Sequence, residues 1–145
     1  MIDYQIGEEK DFDVVMKLLT EIGGDRSPDM PIKDFIVAKD GNKLVGCARI
    51  KKFPDGCLEL ASLAVDSDYR RMGIGKVLVA KILEREPSRP IYLMCSIEKE
   101  PFYELNGFEK IEAKDLSASL KEEYERVLTR VKIPADQILI MVKNS

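Results

Sequence analysis

The chain has 145 residues, of which 45% are hydrophobic and 34% charged, with no histidine and a formal net charge of −3. A chain of this length makes one domain with room for a continuous core. Its acidic balance, with a pI near 5.2, argues against a general nucleic-acid or membrane-surface binder.

Ile2 to Ile6 reads as a short first strand and Glu8 to Ile22 as a helix, with Phe12, Val15, Met16, Leu19 and Ile22 on one face and Gly23-Gly24 as its stop. Asp25 to Pro31 has turn composition and two prolines, so a loop or at most a single helical turn is expected. Asp34 to Ala38 and Lys43 to Phe53 read as strands joined through Lys39-Asp40-Gly41-Asn42, and Asp-Gly is a strong hairpin signal. Pro54-Asp55-Gly56 makes a second tight connection into a strand over residues 57–65, which gives an antiparallel meander. Arg49 and Lys51 share one face of the middle strand by its period of two, either lining a cleft or meeting solvent.

Val77, Leu78, Val79, Ile82 and Leu83 then sit at helical spacings, with Lys76, Lys81, Glu84 and Arg85 opposite. Pro87 and Pro90 bracket a loop into a strand, Ile91 to Ser96, reached by a crossover that should be right-handed. Glu100 to Asn106 reads as a short helix capped by Gly107, and Phe108 to Glu112 as a strand. A helix over Lys114 to Lys132 presents Leu116, Leu120, Tyr124, Val127, Leu128 and Val131 on one face, with Ser119 and Glu122 spaced to cap its start. Gln137 to Val142 is the expected last strand.

The chemistry concentrates between the strand LELASLAV and its helix, in Arg70-Arg71-Met72-Gly73-Ile74-Gly75. A helix start leaves amide N–H groups without partners and carries the positive end of the helix dipole, so it attracts an anion that can come close. Gly73 and Gly75 tolerate unusual backbone angles and have no Cβ to block a phosphate, while Arg70 and Arg71 add charge. The turn reads as a phosphate or pyrophosphate site. It is not a P-loop, because Arg70 stands where that motif needs its first glycine and Val77 where it needs Ser or Thr. Nor is it a dinucleotide fingerprint, because Leu78 occupies the third glycine position.

R-x-x-G-x-G after such a strand, matched by Arg70, Gly73 and Gly75, resembles the acyl-CoA-binding motif of the GNAT N-acetyltransferase superfamily. Pro101-Phe102-Tyr103-Glu104-Leu105-Asn106-Gly107-Phe108 matches a second segment of that family, in the right order and at the usual distance. The resemblance implies an α/β (α+β) GNAT-like fold in a single domain: a mixed, mostly antiparallel sheet of about seven strands, flanked by helices, with its fourth and fifth strands splayed into a V. It further implies that the pantetheine arm of acetyl-CoA pairs with backbone groups of Leu63, Ala64 and Val65, aimed by a bulge near Ser62 to Ala64. The pyrophosphate would lie against Arg70, Arg71, Met72, Gly73, Ile74, Gly75 and Lys76. The strand ending at Ser96 and the helix carrying Phe102 would flank the cofactor.

Two residues are implied as catalytic. Glu59 is a charged side chain in an apolar central strand, where some family members carry a glutamate base; the competing reading pairs it with Arg49 or Lys51 across the hairpin. Tyr103 stands where the family often places a tyrosine that protonates the thiolate, and otherwise it packs in the core. A central-strand N–H near Leu63 or Ala64 would hold the thioester oxygen. The family's acceptor entrance lies near the 25–31 loop, where Arg26 either greets an acidic substrate or is an ordinary surface arginine.

The expected reaction is direct attack of a primary amine on acetyl-CoA. GCARIKKFPDGCLELASLAVDSDYRRMGIG is similar to the acetyltransferase domain of N-acetylglutamate-synthase-type enzymes, and the helix before the last strand suits that group, so an amino-acid α-amine is the named candidate acceptor. Protein or peptide N-termini, ribosomal proteins, polyamines and aminoglycosides stay open, as does a CoA-binding sensor or partner module without turnover. With no histidine, and with Cys47, Cys57 and Cys95 odd in number and set in apolar runs, neither a metal site nor a disulfide is expected. No apolar run approaches the roughly 20 residues that span a bilayer, and Met1-Ile2-Asp3-Tyr4 lacks the basic start of a secretory leader, so a cytoplasmic location is expected. Monomer and homodimer are both compatible with these features.

Overall fold

The computed structural model describes residues 1–22, 30–131 and 134–145. Gly23-Gly24, Arg26 and most of the 25–31 loop therefore lie outside the described residues, as does Lys132. The elements follow the reading above within a residue or two at most ends: β1 (Ile2–Ile6), α1 (Phe12–Ile22), β2 (Phe35–Asp40), β3 (Lys43–Lys52), β4 (Leu58–Val65), α2 (Ile74–Arg85), β5 (Ile91–Ser96), α3 (Glu100–Leu105), β6 (Glu109–Ile111), α4 (Ala118–Arg130) and β7 (Ile138–Lys143). The strands form a seven-stranded sheet in the order β1-β2-β3-β4-β5-β7-β6. β1–β2 and β2–β3 are antiparallel, β4–β5 is parallel, and β7 enters antiparallel between β5 and β6. The parallel ladder has a single residue pair, Glu59 opposite Tyr92. This is the mixed, mostly antiparallel sheet that the motifs implied.

Two compact units divide the chain. The first comprises Met1–Ile50 and Leu60–Pro87. In it Val15, Leu18 and Leu19 of α1 bury against Phe35, Val37, Leu44, Cys47 and Ala64. The α1 stripe is rotated from the expected one: Leu18 is buried while Ile22 is 36% exposed. Asp11, in the 3-10 turn before α1, accepts from the Glu8 amide at 2.9 Å and pairs with Lys39 at 2.8 Å, which joins that turn to β2. Gly46 lets α2 approach β3 closely, since a Cβ there would lie 3.0 Å from Leu78 and 3.2 Å from both Ile74 and the Ala64 carbonyl.

The second unit comprises Lys51–Glu59 and Ser88–Ser145. Its apolar cluster is built on Leu116, Leu120 and Ile140, with Phe53, Cys57, Tyr92, Met94 and Tyr124 packed around them. The cap of α4 differs from expectation. Ser117, not Ser119, is the N-cap and accepts from the Leu120 amide, while the Ser119 hydroxyl donates to Asp55 at 2.6 Å. That bond, with the Cys57 amide, holds the Asp55 carboxyl down at about 2.

Candidate active site

In the first unit the strand-turn-helix element is built as follows. Asp66 closes β4: its amide donates to the Val45 carbonyl at 2.8 Å and its carboxylate accepts from the Asp68 amide at 2.9 Å. The Tyr69 hydroxyl then donates to Asp40 at 2.7 Å, with the Lys43 ammonium 5.1 Å from its ring centre, so the turn is fastened to the β2–β3 hairpin. Beyond this anchor the backbone is left-handed at two alternate positions, Arg71 (φ +67°) and Gly73 (φ +78°). Such a conformation is costly for arginine and nearly free for glycine. Only Gly73 uses the glycine freedom expected of the pair, because Gly75 is already in the first turn of α2.

Gly73 is the N-cap of α2 and supplies no side-chain cap. The amides from Gly73 to Lys76 precede the first intrahelical bond, which Val77 donates to the Gly73 carbonyl at 3.1 Å. A Cβ at Gly73 would meet nothing within 4 Å, so there is room beside these donors. Arg70, Arg71 and Lys76 are exposed around them and Met72 is 61% exposed, whereas the buried Ile74 side chain anchors the helix and leaves only its amide available. Arg70 Nε also donates to the Val65 carbonyl at 3.4 Å, which brings the turn to the end of β4.

Where a bulge was expected in β4, Ser62 is left-handed at φ +57° and buried. Two neighbours on β3 hold it there: Arg49 Nε donates to its hydroxyl at 3.1 Å, and the Cys47 thiol to its carbonyl at 3.4 Å. Strain of about 1 kcal/mol or more is thus offset by buried hydrogen bonds on both sides of one residue. Leu63, Ala64 and Val65 follow this turn of the backbone directly. Arg49 is therefore buried, with its guanidinium 5.6 Å from the Phe35 ring centre, and does not meet solvent.

In the second unit Glu59 is buried among charged groups. Lys51 faces it, 3.8 Å from Oε1, so the cross-hairpin pair exists. A residue the sequence reading did not single out completes the group. Glu123 of α4 is 2% exposed and pairs with Lys51 and Arg126. Burial works to raise the Glu123 carboxyl, but hydrogen bonds from Lys51 and Arg126 outweigh it and hold it below its ordinary range. The available signal was an acid placed between Leu120 and Val127 on the buried stripe of its helix.

Tyr103 is half-buried on α3, its ring edge-on to Phe102 at 5.0 Å and to Phe108 at 6.0 Å. Burial, then the Cys95 sulfur, pushes its phenol well above the usual range, so it stays protonated at neutral pH. The Ser96 hydroxyl, at the end of β5, donates to Glu98 at 3.5 Å. Burial raises the Cys47 thiol to about 12 and the Cys95 thiol to about 11. Thiolate is the reactive form, and burial disfavours it at both cysteines. In the native protein Cys47 and Cys95 should resist a thiol reagent that labels all three cysteines in denaturant; fast native labelling of more than one would contradict their burial. Among the described residues no group of His, Cys, Asp and Glu could hold a metal, and no helix is long and apolar enough to cross a membrane.

The profile of the Acetyltransferase (GNAT) domain matches residues 31–110, more than half of the chain. The chain belongs to the GNAT acetyltransferase family. An uncharacterized N-acetyltransferase of Chlorobaculum tepidum is 31% identical over 84 residues, covering 56% of this chain and 53% of that protein. An amino-acid acetyltransferase of Aeromonas salmonicida is 28% identical over 100 residues, covering 66% of this chain but 22% of that protein. The GNAT fold is shared with a solved N-acetylglutamate synthase from Neisseria gonorrhoeae, complexed with coenzyme A and N-acetyl-glutamate. That match has a TM-score of 0.82 at 22% identity and covers 99% of this chain and 35% of the other. This GNAT chain thus spans about half the length of one curated relative and about a fifth of the other.

Proposed function

We propose that this chain transfers the acetyl group of acetyl-CoA to a primary amine by direct attack, and that the amine is the α-amine of an amino acid. The observation that carries the reading is the start of α2, a run of uncapped amides opened by left-handed Arg71 and Gly73 with free space at the Gly73 Cβ position. These residues fit a pyrophosphate. Acetyl-CoA supplies an activated acyl carbon and a thiolate leaving group. Gly73 to Lys76 hold its phosphates by backbone N–H, with Arg70 and Arg71 beside them; Leu63 to Val65 pair with its extended arm and give an N–H to the thioester oxygen. Phe102 acts through packing on Tyr103, and Ser96 ends the neighbouring strand. The amine nitrogen bonds to the acyl carbon as the carbon–sulfur bond breaks. Glu59 takes the proton the amine loses, and Tyr103 gives one to the sulfur. Positioning of the two reactants supplies much of the rate.

The acceptor reading is supported by the amino-acid acetyltransferase among the relatives and by proton chemistry. An α-amine loses its proton near pH 8, against about 10.4 for a lysine side chain, so a chain without histidine needs less help to generate it. CoA release from acetyl-CoA, followed with a thiol reagent over amino acids, free-N-terminal peptides, polyamines and aminoglycosides, tests it. An amino acid should give the largest kcat/KM and a product heavier by one acetyl group. A peptide or polyamine in first place overturns the acceptor, and stabilisation by acetyl-CoA with no acceptor at all replaces the enzyme by a CoA-binding sensor.

A further inference from the structure

We propose that Glu123 of α4 is a positioning residue for Glu59: together with Lys51 it fixes which of the two carboxyls carries a proton, and so the pH at which Glu59 accepts one. The proposal rests on the reading of Glu59 as the base. Three elements of the second unit contribute one side chain each, Lys51 from β3, Glu59 from β4 and Glu123 from α4, and their side chains are 14%, 5% and 2% exposed. The Lys51 ammonium contacts both carboxyls, and Arg126 reaches the other oxygen of Glu123 from the surface, with its own side chain 64% exposed.

The two carboxyls therefore share one cation, and two carboxylates brought to one buried site repel. Glu123, with two cationic partners, is the one held ionised, so a proton that enters the pair goes to Glu59. Charge counting agrees. Among these three side chains, protonated Glu59 leaves one ammonium and one carboxylate, whereas without that proton two carboxylates share the Lys51 ammonium. Glu59 therefore gives up its proton against the charge of Glu123, which makes it a stronger base than a glutamate paired with Lys51 alone. Tyr92 stands opposite Glu59 in β5, and the Phe53 ring lies 5.7 Å from the Lys51 ammonium. The family match ends at residue 110, so α4 lies outside what that match covers.

The test is a carbon-13 NMR titration of the full chain labelled at the glutamate side-chain carboxyl, run beside the pH profile of CoA release. The Glu59 signal is assigned by its loss in Glu59→Gln. In Glu123→Gln the Glu59 midpoint should fall by about 1 unit or more, in Lys51→Met it should rise by a similar amount, and Glu123→Asp should restore it. The acidic limb of CoA release should move with it. Midpoints that stay put while melting temperatures drop make the cluster a structural tie and overturn the proposal. If Glu123→Gln does not fold, an unmoved midpoint in Lys51→Met overturns it equally. Opposite midpoint shifts with an unmoved limb support the proton-sharing pair and reject Glu59 as the base.

Discussion

In Glu59→Gln, turnover at neutral pH should fall about 100- to 10,000-fold, the usual worth of a positioned general base, while acetyl-CoA affinity stays close to that of the parent protein. Glutamine keeps the size and hydrogen bonding of the side chain but takes no proton. The substitution also leaves the Lys51–Glu123–Arg126 pairs intact, so the second unit should fold. Without a base, only amine already neutral in solution reacts. Below the α-amine pKa of about 8 that fraction rises tenfold per pH unit, so the variant should recover steeply between about pH 6 and 8. A variant profile of the same height and shape as the parent's would remove Glu59 from the mechanism.

Gly73→Glu should weaken acetyl-CoA binding at least about 100-fold, or about 2.8 kcal/mol, with a much smaller effect on the melting temperature. Position 73 is left-handed at φ +78°, so any side chain there carries strain. The open space around its Cβ accepts the new side chain without a clash. A glutamate at a helix start is itself favourable, and for that reason it competes with a phosphate for the amides from Gly73 to Lys76 and repels it. Gly73→Ala carries the strain without the charge and should weaken binding far less. Calorimetric titration separates the two; equal losses would mean that backbone geometry matters there and the anion does not.

The β4-turn-α2 element was legible because each of its signals is local: an apolar strand, two glycines, two arginines, and then a stripe at helical spacing. The same holds for β5 and for the hairpin at Gly41, where periodicity and turn chemistry act within a few residues. What escaped depends on contacts distant in sequence. Ser117 rather than Ser119 caps α4, and Ser119 is instead engaged by Asp55, 64 positions away. The burial of Leu18 in place of Ile22 is set by what α1 packs on, not by its own spacing. Glu123 is the most consequential case. In the sequence it is one acid among several on a charged helix, and its meaning appears only when Lys51, 72 positions earlier, is found against it. Left-handed Arg71 is similar, since nothing about an arginine announces a positive φ.

The most direct measurement is a titration of the 15N-labelled chain with CoA, followed through its amide resonances. The amides of Gly73 to Lys76 and of Leu63 to Val65 are predicted to show the largest shifts, saturating together at one CoA per chain. Saturable shifts centred elsewhere, or none at millimolar CoA, would contradict the account.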